Sequence, residues 1–164
     1  MLIAPRHPER FITVYQLSIK LGFNTGLRSQ VEGLNIDTEV LILDTLGEML
    51  GFYSISDYAF IGGSLIAHGG HNVLEPIAMK IPVLTGKYFY NFQDICTRLL
   101  KAKAIIQVDC ANDLSQQIIS LNQQPNKIHT LTCNASQILQ SNQGALLKYF
   151  NKTQEALAQL GGEV

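Results

Sequence analysis

Residues 58–82, YAFIGGSLIAHGGHNVLEPIAMKIP, decide how this chain folds. A short apolar run, Ala59–Ile61, leads into two glycine pairs, Gly62-Gly63 and Gly69-Gly70. His71-Asn72, Glu75-Pro76 and an apolar run to Met79 follow. The order is that of a strand, a glycine loop and a helix start. Glycine removes side-chain bulk and admits backbone angles closed to other residues. A helix start presents unsatisfied N–H groups and the positive end of its dipole to an anion. Asn72 and Glu75 are three residues apart and so share one face of that helix start. The combination suits a nucleotide, with phosphate at the loop and hydroxyls at the carboxylate.

Working outward, the same alternation repeats. A short strand at 2–4 precedes Pro5-Arg6-His7-Pro8, and 8–21 reads as a helix with proline in its first turn, where a missing N–H costs nothing. Phe11, Val14, Tyr15, Leu17 and Ile19 to Leu21 supply its apolar face, and Gly22 ends it. Residues 23–27 form a weakly patterned strand. EVLIL at 39–43 is a buried-strand signal. Asp44-Thr45 then caps a helix to about Tyr53, with Glu48 in its first turn. Strands at 57–61, 81–84 and 104–108 alternate with helices at 71–79 and 91–102. Beyond Asn112 the chain turns helical and rich in Gln and Asn, at 114–122, 127–140 and 144–160.

Short apolar strands alternating with helices predict an α/β fold, a Rossmann-like parallel sheet with helices on both faces and a helical C-terminal tail. Ligands of such sheets bind at the carboxyl ends of the strands. Arg6, the 44–48 segment and the 62–75 segment each fall just after a strand, so they are expected to converge on one edge.

Composition narrows the function. The 164 residues fit one domain, 1–164, with a real core; 46% are apolar and 15% charged, which excludes disorder. A net charge of −1 argues against a nucleic-acid partner, which needs a basic face. Cys96, Cys110 and Cys133 are odd in number and have neither metal-ligand spacing nor a disulfide framework. No apolar run has the length of a membrane span. Met1 to Ala4 reads as the end of a core strand, which suggests a piece of a longer protein.

PRHPERF at 5–11, DTLGEM at 44–49, FIGGSLIAHGGHNVLEP at 60–76 and NFQDI at 91–95 stand in the order found in the bacterial Kdo (3-deoxy-D-manno-octulosonic acid) transferases. The chain resembles the C-terminal half of that family, with motifs over 2–108. It departs from the commoner pattern at Leu46 and in TGKYFYNF at 85–92. The resemblance implies the donor-binding half of a GT-B glycosyltransferase. The donor would be CMP-Kdo. The acceptor, a lipid A precursor, the catalytic base and the membrane association would belong to an N-terminal half that this chain does not match. It implies no cofactor and no metal, transfer with inversion, and a parent protein at the cytoplasmic face of a Gram-negative inner membrane. By itself the chain is expected to bind CMP or CMP-Kdo without turnover. Another GT-B transferase, a UDP-sugar epimerase and a non-catalytic nucleotide-binding module are the alternatives; preference for UDP over CMP would mark the first two.

The resemblance gives roles to individual residues. Arg6 forks onto the donor phosphate, a pairing that suits guanidinium better than ammonium; the plainer reading is a surface arginine in a turn, and His7 could assist. Leu46 and Gly47 offer backbone N–H groups and Glu48 contacts the donor, or else the segment is only a helix cap. Gly62, Gly63 and Ser64 allow close backbone approach, or merely turn the chain. Glu75 accepts from both ribose hydroxyls, and Asn72 bonds phosphate or ribose while capping the helix. Asn91 caps the next helix and faces the site, near Tyr88 and Tyr90. His68 and His71 are three apart but lack a third ligand at metal spacing.

Overall fold

The computed structural model describes residues 1–30 and 36–141. The expected helix at 144–160 lies outside them. Although the sequence reads as one domain, its contacts sort it into two compact units, Met1–Met49 and Leu50–Val164. Among the described residues, six strands pair as two three-stranded sheets, and every pairing is parallel.

In the first unit, strand β1 (Leu2–Ile3) and strand β2 (Thr25–Leu27) flank β3 (Val40–Ile42), with Leu2 opposite Leu41 and Leu27 opposite Ile42. A 3₁₀ turn, Pro8–Arg10, has its proline at the helix start and leads into helix α1 (Phe11–Lys20). The core is Leu27, Val40 and Ile42 with Ile3, Val14 and Tyr15 packed on it. The expected apolar face of α1 is only partly used. Val14 and Tyr15 face the sheet, whereas Ile12, Leu17, Ile19 and Leu21 are exposed. The buried row is 11, 14, 15 and 18, the i, i+3, i+4, i+7 spacing of one helical face. Its fourth member is Ser18, buried and accepting a 2.7 Å hydrogen bond from Thr25 Oγ1. Sequence hydrophobicity misplaced the face because a paired serine occupies it.

In the second unit, β5 (Val83–Thr85) is central between β4 (Ala59–Ile61) and β6 (Ile106–Gln107). Ile61 sits opposite Thr85, and Thr85 opposite Gln107. All of β5 is buried, as a central parallel strand covered on both faces must be. Neighbouring strand residues point to opposite faces. Val83 accordingly joins a cluster with Ile61, Val73, Ile77, Cys96 and Leu99, while Leu84 joins Val108, Leu121 and Leu131. Helices α3 (Leu74–Ala78) and α4 (Gln93–Lys101) supply the first cluster, and α5 (Ala111–Gln123) the second. Helix α6, 125–141, reaches both, through Ala135 and Leu131. Each fully buried Leu or Ile contributes about 2–3 kcal/mol of apolar transfer free energy.

Helix α2 (Met49–Ser54) starts later than the sequence suggested. Residues 45–47 form a bend, and Gly47 has φ 84°. A left-handed residue cannot sit inside an α-helix, so Leu46, Gly47 and Glu48 belong to a loop rather than to a helix start. Asp44 does not cap α2 either. Its carboxylate accepts from the Ser29 N–H at 2.8 Å and the Ser29 hydroxyl at 2.5 Å, joining the turns after β2 and β3.

Candidate functional site

The carboxyl edge of the first sheet carries one group of expected residues. Because β1 and β3 are parallel neighbours, the turn holding Arg6 and the loop 43–48 leave the same edge. Arg6 is exposed there. His7 Nδ1 lies 3.8 Å from Glu9 Oε1, both largely in solvent, where such a pair adds little. Leu46 is 80% exposed, and Gly47 has open space around its Cα. Glu48 is engaged on both oxygens: Thr45 Oγ1 donates to Oε2, and Arg28 Nη2 donates to Oε1 at 2.7 Å. The Thr45 bond and then the Arg28 guanidinium outweigh burial and hold the Glu48 carboxyl below its ordinary value. For Asp44, burial acts upward, but the bonds from Ser29 leave the net direction downward. Both groups are thus poised as carboxylates.

Arg28 went unnoticed in the sequence. Its signal was position, since it follows β2 as Arg6 follows β1. The weak apolar pattern of 23–27 hid that strand end.

At the carboxyl edge of the second sheet, β4 ends at Ile61 and β5 at Thr85, in register. The loops 62–73 and 86–92 therefore leave side by side and interlock. Ser64 is the clasp. Its hydroxyl donates to Ile61 O at 2.5 Å and accepts from Gly86 N–H at 2.7 Å, and its carbonyl accepts from Tyr88 N–H at 2.9 Å. Ser64 is fully buried, so its side chain braces the two loops. The clasp leaves no room at residue 86, where a Cβ would stand 2.1 Å from Ser64 O. Gly63, Gly69 and Gly70 all have φ between 66° and 85°, angles that favour glycine. The second pair also admits its neighbour: a Cβ on Gly69 would meet Asn91 Nδ2 at 2.8 Å. Asn91 N–H donates to Gly69 O at 3.4 Å. Asn91 therefore touches the glycine loop, but it does not cap the next helix: it lies inside the 3₁₀ turn Tyr90–Phe92, and α4 begins at Gln93 without a side-chain cap. Gly62 lies exposed, its Cα side facing the His71 ring.

Asn72 and Glu75 meet, although Asn72 stands in the turn before the helix and not on a helical face. Asn72 Oδ1 accepts from Leu74 N–H at 3.0 Å, satisfying one of the free donors that begin α3. Asn72 Nδ2 donates to Glu75 Oε1, also at 3.0 Å. Because Asn72 takes the turn before Val73, α3 begins at Leu74 rather than at His71. Glu75 is exposed and oriented by its amide partner. Burial, and then the Glu75 charge, push the Tyr53 phenol up, so the carboxylate stands near that ring. Among the described residues, no group of three or more His, Cys, Asp or Glu could hold a metal ion. A shallow cavity of about 320 Å³ is lined by Tyr90 to Ile95 at the start of α4.

An exposed carboxylate held by an amide beside a glycine loop is a fit for a ribose diol next to a phosphate. The chain is 40% identical over 147 residues to the 3-deoxy-D-manno-octulosonic acid transferase of Haemophilus influenzae, covering 89% of this chain and 34% of that protein. It is 32% identical to the enzyme of the same description from Bordetella pertussis, over 76% of this chain and 29% of that one. The crystal structure of the C-terminal CMP-Kdo binding domain of WaaA from Acinetobacter baumannii superposes with a TM-score of 0.81 at 31% identity, over 85% of this chain and 72% of that chain.

The chain belongs to the Kdo transferase family.

No family model matches it. It spans about a third of the length of the curated Kdo transferases it matches. The parallel strands and covering helices are those of the C-terminal domain in the family's solved structure. No helix among the described residues is long and apolar enough to cross a membrane.

Proposed function

We propose that this chain is the CMP-Kdo binding domain of a bacterial glycosyltransferase of lipopolysaccharide synthesis. Its parent transfers Kdo to a lipid A precursor at the cytoplasmic face of the inner membrane. The observation that carries this reading is the likeness, at 31% identity and TM-score 0.81, to a domain described as CMP-Kdo binding. The Asn72–Glu75 pair beside the glycine loops supports it. Glu75 accepts from the ribose hydroxyls; its oxygen toward Asn72 is already aligned. Backbone N–H groups of 62–70 meet phosphate, with Ser64 and Gly86 fixing their positions.

In the parent reaction, the acceptor hydroxyl attacks the anomeric carbon of Kdo. The bond to the CMP phosphate oxygen breaks, the configuration inverts, and a base of the other half takes the hydroxyl proton. Negative charge grows on the departing phosphate, where fixed N–H dipoles and a guanidinium are most effective. The chain alone holds the donor and turns nothing over. Isothermal titration with CMP, CMP-Kdo and UDP tests this. Heat of binding for the two cytidine compounds, and none for UDP, is expected. Tighter binding of UDP would move the chain to a different GT-B activity.

A further inference from the structure

The donor of the proposed reaction bears two anions, a phosphodiester and the carboxylate of its sugar acid. The glycine loops answer the first with backbone N–H groups. The second calls for a fixed cation. Lys87 is the one Lys or Arg in the segments 62–73 and 86–92 that follow β4 and β5, and Asp109 is the charged residue just after β6. Its backbone is pinned on both sides by one residue: Ser64 accepts from Gly86 N–H through its hydroxyl and from Tyr88 N–H through its carbonyl. Its side chain is exposed and has its ammonium 5.2 Å from the centre of the Tyr88 ring. Tyr88 is itself held edge-on by Tyr90, with ring centres 5.8 Å apart at 66°. An aromatic face restrains the ammonium without using up its N–H donors. Because Ile61 and Thr85 are in register, this restrained cation emerges beside the loop that begins at Gly62.

We propose that Lys87 binds the carboxylate of the donor's sugar in this chain. The proposal rests on the nucleotide reading above and adds a contact to the sugar acid from a segment where this chain departs from the commoner family pattern. Tyr88 acts through Lys87 as a positioning residue.

The test compares Lys87→Met with the unaltered chain in titrations with CMP and with freshly prepared CMP-Kdo. CMP lacks the carboxylate and so reports on the fold and on the phosphate site together. The expected result is about a tenfold loss of affinity for CMP-Kdo with CMP changed by less than about twofold, the size of one charge-assisted hydrogen bond. Equal losses for both ligands would place Lys87 on the phosphate and overturn the proposal. So would unchanged affinity for both. If the unaltered chain binds CMP no better than UDP, the nucleotide reading itself fails, a result distinct from either of these.

Discussion

At the scale of single residues, two carboxylates near the strand ends are held for different ends. Glu48 has both oxygens engaged by Thr45 and Arg28, so it braces its loop before it meets any ligand. Glu75 is exposed, with one oxygen aligned by Asn72. Glu75→Ala is therefore expected to weaken CMP binding about tenfold or more, the worth of a charge-assisted bond. Its thermal unfolding midpoint should stay that of the parent chain, since no buried group loses a partner. A drop in melting temperature with unaltered affinity would reassign Glu75 to the fold. Glu48 makes a separate prediction about pH. A carboxyl whose pKa is lower in the folded than in the unfolded chain adds stability above its unfolded value, and that stability is lost as pH falls through the folded one. The window thus lies below 4.5, the ordinary value. The Thr45 bond, and then the Arg28 bond and charge, hold the carboxyl down. Followed by carboxyl carbon chemical shifts, Thr45→Ala and Arg28→Met should each raise the Glu48 midpoint.

At the scale of elements, the loops after β4 and β5 behave as one piece because Ser64 holds both. Ser64→Ala strands the buried Gly86 N–H, and leaving a buried donor unmade costs about 1–3 kcal/mol. Denaturant titration should read that loss directly as a lower midpoint. Gly86→Ala goes further. Its Cβ would overlap a backbone carbonyl, which cannot rotate away as a side chain would. Gly86→Ala is expected to give little folded protein, whereas Gly51→Ala, on a helix with open space at that position, should fold normally and gain slightly in helix propensity. Soluble yield and circular dichroism of the pair distinguish a steric requirement at residue 86 from a general intolerance of alanine.

At the scale of the whole molecule, two covered parallel sheets put the thiols in unlike surroundings. Cys110 and Cys133 are exposed, while Cys96 is fully buried in the cluster of β4, β5 and α4. Burial pushes its thiol up to about 11, and it is the thiolate that reacts. With a chromogenic disulfide at pH 8, two thiols should titrate promptly, and the third only at the rate of opening of the core. Prompt reaction of all three would mean that α4 separates from the sheet in the native state.

The sequence by itself determined the parallel α/β plan and the strand, glycine loops and helix start of residues 58–82. Both are local signals: apolar runs such as EVLIL read as buried strands, and the glycines before Asn72 and Glu75 admit left-handed angles closed to other residues. A local turn brought Asn72 to Glu75: Asn72 Oδ1 takes the Leu74 N–H ahead of the helix, and its amide then reaches the carboxylate. Tertiary structure decided what depends on residues far apart in the chain. It gave Asp44 to Ser29 instead of to a helix cap, Glu48 to Arg28, and the Ser64 hydroxyl to Gly86. It also buried Ser18 where hydrophobicity favoured Leu17 and Ile19, since the paired Thr25 that makes a buried hydroxyl tolerable lies on a neighbouring strand. A side chain's partner across a sheet is fixed by register and crossover, and neither is written in the composition of either segment.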